Sequence, residues 1–391
     1  MMRLVSVGLL SQIAVVLAAL VRTPLIIESL GVQRFGFYVA VIGAWAVLAS
    51  VGEGFRANLR QISKQKSSLS RAGARSRYFK SLWLVLLALV PTVLILHMAN
   101  SSNSGSLDWS LLSLIVLLGL AYPFFAGAVG LREGRGSYSW FHWCTIVGQI
   151  SSIFTVIVIA DQNSPHLFAL ATLVPAFLPG FYALFVARRQ NPLVALDAHS
   201  SKLNNFYVLV LILETVAFSM DSAIVLTLLG PEAAAEFAIS QRIMVFFAVI
   251  PAILAPLIAT RGGSKLNAGW LRKVQVRQTL FAVIVSIFVV ISSVNIYSFL
   301  SNGLLAFDIW VIVAGCVNGI VGTFASTTIQ AASSDDVMRA RFYAACLLFL
   351  ISTGMTLLML PLMGVSGAFL GTMFGTVTYW ALVRRLVGKI Q

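Results

Sequence analysis

Residues 21–80 read VRTPLIIESLGVQRFGFYVAVIGAWAVLASVGEGFRANLRQISKQKSSLSRAGARSRYFK. An apolar run carrying Arg22 and Pro24 ends at Leu30-Gly31, and a second ends in Gly52-Glu53-Gly54-Phe55-Arg56. A basic loop follows. Apolar runs of this length are membrane spans, because about 20 residues of helix cross the hydrocarbon core. The Gly and Pro mark bends, and a charge such as Arg22 inside a span needs a partner or an aqueous cavity.

The whole chain follows this pattern. It is 59% hydrophobic and only 10% charged, against roughly 25% charged residues in a soluble domain. The net charge of +14 does not point to nucleic acid, because the basic residues lie between apolar segments and not on one soluble face. Arg3 with the apolar run behind it has the look of a signal peptide, but the run is too long and has no small-residue cleavage site. It is expected to be an uncleaved first span. Cys144, Cys316 and Cys346 are far apart in apolar segments, which indicates neither a disulfide framework nor a metal site.

Counting apolar runs places spans near 4–27, 36–59, 81–98, 110–130, 138–160, 167–187, 205–229, 237–260, 279–300, 304–330, 342–360 and 365–383. With the N-terminus inside, 23 of the 27 Lys and Arg fall in cytoplasmic segments, one (Arg34) in an outer loop, and Arg22, Arg56 and Arg242 within spans. That asymmetry is the positive-inside signature, and it places both termini in the cytoplasm. The polar loop around Asn191-Pro192 divides the spans six and six. The expected lobes are residues 1–190 and 205–391, joined by a cytoplasmic linker, 191–204. Leu30-Gly31 and Leu229-Gly230 stand 199 residues apart, each between two apolar runs, and the same offset sets Arg22 opposite Asp221. Because six is even, a repeat of this kind has its axis along the membrane normal.

RTPLIIESLGVQRFGFYVAV with GEGFRANLRQ resembles the opening of polysaccharide-biosynthesis flippases, O-antigen-transporter-like members of the multidrug/oligosaccharidyl-lipid/polysaccharide exporter superfamily. LGPEAAAEFAISQRI, residues 229–243, resembles the family's junction of spans seven and eight, and LPLMGVSGAFLGTMFG, residues 360–375, that of spans eleven and twelve. The resemblance implies an all-α membrane protein with about twelve transmembrane helices, in two six-helix lobes around a central cavity. It implies alternating access to the two sides and a polyprenyl-diphosphate-linked oligosaccharide as substrate, moved from the cytoplasmic to the outer leaflet. The cell (inner) membrane, membrane lipids and other polysaccharide-assembly proteins are the expected setting and partners. Where the family often has an acidic residue before the Gly-rich end of span two, this chain has Ser50, with Glu53 three residues on.

Arg22, Arg56 and Arg242 are the candidate diphosphate contacts, since guanidinium matches phosphate in geometry and charge. Arg22 has two alternatives: it can snorkel to the outer interface or pair with an acid such as Asp221. Glu53, Arg56 and Arg60, spaced i, i+3, i+7, share one face of a helix and form a candidate first-contact site for the headgroup, or else local ion pairs and interfacial charge. Glu214 and Asp221 lie about 10 Å apart along one helix face. Either can take up a proton or help hold sodium, coupling transport to an ion gradient, or it can balance Arg22 or Arg242. Pro24, Pro251 and Pro256 are the candidate hinges.

No Walker A, HExxH or His pair at ligand spacing is present in the sequence, so neither ATP use nor a cofactor is expected. A saccharide polymerase or ligase is disfavoured by the short outer loops. The alternative function is a proton- or sodium-coupled exporter of drugs or metabolites. An exporter of cations should carry an acidic cavity, whereas the intramembrane residues here include three arginines.

Overall fold

The computed structural model describes residues 2–65, 82–101, 109–134, 139–186, 205–261, 268–331 and 335–390. The expected linker 191–204 and most of the basic loop 60–80 lie outside the described residues. Those described are almost entirely helical. The helix Met2–Gln65 is broken at Gly31 into α1, residues 2–30, and α2, residues 32–65. α3 (Leu82–Ser101), α4 (Trp109–Gly134) and α5 (Ser139–Val158) follow. α6, residues 165–186, is irregular, with a 3-10 turn over Val174–Phe177 and a π turn over Tyr182–Val186. Then come α7 (Asn205–Leu229), α8 (Pro231–Arg261), α9 (Ala268–Ser301), α10 (Ile309–Ala331), α11 (Asp335–Met363) and α12 (Val365–Ile390). Among the described residues nine stretches are long and apolar enough to cross a membrane, the first of them, Leu9–Arg60, being the α1–α2 pair.

The sequence reading put a short polar turn between the first two spans. The structure replaces that turn by one residue: helix continues on both sides of Gly31, whose φ of 71° and ψ of 163° fall in a region essentially reserved for glycine. Gly230, with φ 92°, makes the α7–α8 junction in the same way, and its carbonyl accepts the Ala234 N–H at 3.1 Å to start α8. Residues 28–35, which the sequence places between the first two spans, are therefore helical on both sides of Gly31, because a single positive-φ glycine breaks the helix without a loop.

Two compact units emerge. The first comprises Met1–Ala18 and Val41–Thr215, and the second Ala19–Ala40 and Val216–Gln391. The outer ends of α1 and α2 thus belong with the second half of the chain. Gly36 lets α2 lie against the start of α8, where a Cβ would come within 2.7 Å of the Pro231 carbonyl oxygen.

In the first unit, α2 and α4 approach closely because glycines line their seam. A Cβ on Gly52 would strike the Tyr122 ring, one on Gly119 the Leu48 side chain, and one on Gly130 the Arg56 backbone. Trp45, Tyr122 and Phe177 form an aromatic core, with Tyr122 and Phe177 edge to face at 5.4 Å between centroids.

The candidate hinges behave differently from one another. Pro24 sits inside α1, and the carbonyl of Pro24 accepts the Asn302 side-chain amide at 3.1 Å. α8 is continuously helical across Pro251 and Pro256. The clearest departure from α geometry is instead in α6, beside Pro175 and Pro179, where two missing N–H donors break the regular ladder.

Candidate functional site

The first cluster is in the first unit, where α2, α4 and α5 meet. Arg56 donates Nε–H to Glu133 Oε2 at 3.0 Å and Nη2–H to Glu133 Oε1 at 2.5 Å, a forked pair. Its Nη1–H reaches Glu53 Oε2 at 3.1 Å. Glu53 is held in turn by the Tyr122 hydroxyl at 2.6 Å, and the Phe141 ring covers the guanidinium at 4.0 Å. Side-chain exposure is 18% for Arg56 and 3% for Glu133, against 43% for Glu53.

This arrangement bears on the reading of Arg56 as a diphosphate contact. Both edges of its guanidinium are engaged by carboxylates and one face by an aromatic ring, so an incoming phosphate would have to displace Glu133. It is a two-carboxylate ion-pair network, buried at Glu133 and open at Glu53. Arg60, one turn further on, is half-buried and is not part of the network.

Glu133 and Tyr122 were not among the candidates. Glu133 falls in Gly130-Leu-Arg-Glu-Gly134, which reads as a glycine-rich turn between spans. In the structure these residues are the last turn of α4, whose glycines permit the close approach that brings Glu133 to Arg56.

The second cluster is in the second unit. Asp221 on α7 is 1% exposed and accepts hydrogen bonds from Thr356 Oγ1 of α11 at 3.0 Å and from Thr372 Oγ1 of α12. Gly367 and Gly371 bring these two helices together, since a Cβ at either would collide with the α11 backbone. Asp221 therefore has neutral hydroxyl partners, and the pairing with Arg22 considered above is replaced by Thr356 and Thr372.

The Thr372 hydroxyl also lies 3.0 Å from the Ala368 carbonyl, and it owns only one proton. That proton is therefore shared between the Asp221 carboxylate and the Ala368 carbonyl. The site can thus hold a carboxyl proton, or offer carboxylate, hydroxyl and carbonyl oxygens to a small cation. Glu214, two turns earlier on α7, is half-buried and lies on the first-unit side of the division.

The third cluster joins two residues that the sequence left 220 positions apart. Arg22 on α1, Tyr38 on α2 and Arg242 on α8 all fall in the second unit, and Arg22 lies within electrostatic range of the other two. Arg22 is 9% exposed and Tyr38 2%.

No family model and no curated protein matches the chain. Solved structures do. The lipid II flippase MurJ in an inward closed conformation superposes with a TM-score of 0.67 and 13% identity, over 99% of this chain and 88% of its own. An inward-facing multidrug resistance MATE family transporter of the MOP superfamily gives 0.65 and 13%, over 99% and 98%. A MOP superfamily transporter from Pyrococcus furiosus, whose reverse binding-pocket polarity suggests a different function, gives 0.62 and 14%, over 100% and 95%. The chain therefore has the all-helical fold common to MATE transporters and MurJ.

Proposed function

We propose that this multi-pass protein is a flippase that moves a polyprenyl-diphosphate-linked oligosaccharide from the cytoplasmic to the outer leaflet of the inner membrane. Fold does not choose the substrate, and both drug exporters and a lipid-linked precursor flippase share this one. The observation that supports the reading is a buried guanidinium, Arg22 at 9% exposure, in the same unit as Arg242 and within range of its charge. A guanidinium inside a membrane span suits a diphosphate, which it binds with forked hydrogen bonds.

In this proposal the diphosphate is held on the second unit by Arg22 and Arg242, with the Tyr38 hydroxyl as a neutral neighbour. Access alternates between the two sides, with both termini cytoplasmic and the lipid tail in the bilayer. Asp221, with Thr356 and Thr372, is the coupling group: loading with a proton or a sodium ion changes its charge and hence the balance of the second unit. Pro24, between Arg22 and Gly31, is the hinge. The lobes 1–190 and 205–391 supply the two halves, with residues 19–40 exchanged as the packing directs. Other polysaccharide-assembly proteins deliver or consume the substrate.

The test uses the purified protein in lipid vesicles containing a fluorescent polyprenyl-diphosphate saccharide. Protein-dependent loss of probe from the inner leaflet, read with an impermeant quencher, is expected. Movement of a cationic dye in the same vesicles, without movement of the saccharide lipid, would replace this reading with that of a drug exporter.

A further inference from the structure

α1 belongs to both units although its helix is unbroken. Residues 2–30 are helical, the interruption inside Met2–Gln65 being at Gly31, yet the division between the units falls between Ala18 and Ala19. That place has a local cause. Pro24 has no N–H, so the carbonyl four residues earlier, that of Leu20, loses its helical donor. The ladder of α1 is weakened there, beside the division, and the segment beyond it carries Arg22, 9% exposed.

A bond from the end of α9 reaches this segment. Asn302 donates its side-chain amide to the Pro24 carbonyl at 3.1 Å, across 278 positions of sequence. Pro24 is buried, Asn302 is exposed, and both fall in the second unit. The hydroxyls nearby tie α1 only to itself: Thr23 donates to the Ala19 carbonyl and Ser29 to the Leu25 carbonyl, each at 2.7 Å.

Asn302 also has an ordinary role. It has φ 49° and Gly303 φ 70°, and the Gly303 N–H reaches the Ser298 carbonyl at 3.0 Å, so the two residues form a left-handed stop to α9. A stop alone is met best by glycine, which has no steric cost in that conformation. Asparagine tolerates it and adds the amide that reaches α1.

We infer that Asn302 is a positioning residue: its amide clamps α1 at Pro24 to the end of α9 and so holds Arg22 in place on the second unit. The carbonyl it holds belongs to the hinge residue itself. A turn of α1 about Pro24 has to break that bond or carry the end of α9 with it. The consequence for transport rests on reading Arg22 as a headgroup contact, whereas the clamp itself does not.

Two variants remove the amide and keep the turn. Asn302→Gly suits a left-handed residue best, and Asn302→Asp tolerates it while setting an acceptor against the carbonyl. Amide hydrogen exchange of the full-length protein in detergent, read by mass spectrometry, should speed about 3- to 10-fold over residues 19–30 in both, the range one net hydrogen bond allows. Residues 290–301 of α9 should exchange as in the wild type. Unaltered exchange over residues 19–30 would overturn the clamp. So would an equal speeding at the end of α9, which would leave Asn302 as a helix stop alone.

A double-mutant comparison tests the link to Arg22. Asn302→Gly should weaken binding of a polyprenyl-diphosphate saccharide about 3- to 10-fold in the wild type and have no effect when Arg22 is already alanine. Equal losses in both backgrounds would overturn the positioning role, because a general loss of structure acts with or without Arg22. A wild type that binds no such lipid defeats the flippase reading instead, and the exchange measurement still decides the clamp.

Discussion

Replacing Glu133 with alanine is expected to destabilise the first unit severely. Glu133 is the more buried of the two carboxylates on Arg56, and it makes the forked contact. Removing one member of a buried ion pair leaves the other uncompensated, typically at about 3–5 kcal/mol. Glu53→Ala should cost far less, because Glu53 is 43% exposed and contributes one hydrogen bond to Arg56. Surviving folded protein in detergent, measured by size-exclusion chromatography after heating, ranks the variants.

A double replacement separates structure from function. Arg56→Met with Glu133→Leu removes both charges and keeps most of the volume, and such swaps are often neutral in stability. If Arg56 is structural, this protein should fold and also restore transport. A folded double variant without transport would return Arg56 to the substrate.

The second large effect is expected at Arg22 and Arg242. A hydrogen bond to a charged group is worth about 1.5–3 kcal/mol, so loss of either guanidinium should weaken headgroup binding roughly 10- to 100-fold. Thermal unfolding of each variant in detergent separates a loss of binding from a loss of folding. Lysine at either position keeps the charge but loses the fork and should fall between wild type and alanine. Binding of the polyprenyl-diphosphate saccharide to purified variants checks the order. Equal binding by the wild type and the double alanine variant would remove these residues from the site.

The sequence and the structure agree where a property is local or is imposed by the membrane. The all-helical architecture and the breaks at Gly31 and Gly230 are visible in residue order as long apolar runs and two Leu-Gly junctions, since the bilayer fixes helix length. Arg22 and Arg242 were visible as well, because a charge in an apolar run stands out. What was not legible was pairing. Thr356 and Thr372 are neutral and ordinary in a membrane helix, so nothing local marks them as holding Asp221. Glu133 was concealed by glycines that read as a turn but serve as a close-packing seam. The grouping of residues 19–40 with the second half also depends on contacts such as Gly36 with Pro231, far apart in the chain.

The central claim is the substrate, and it is tested most directly in cells lacking the protein by the sidedness of polyprenyl-diphosphate-linked oligosaccharides, probed with an impermeant glycosidase. The account predicts accumulation of oligosaccharides shielded from the enzyme on the cytoplasmic face, reversed by the wild-type gene and not by the Arg22→Ala, Arg242→Ala double variant. Unchanged amount and sidedness of these lipids would contradict it.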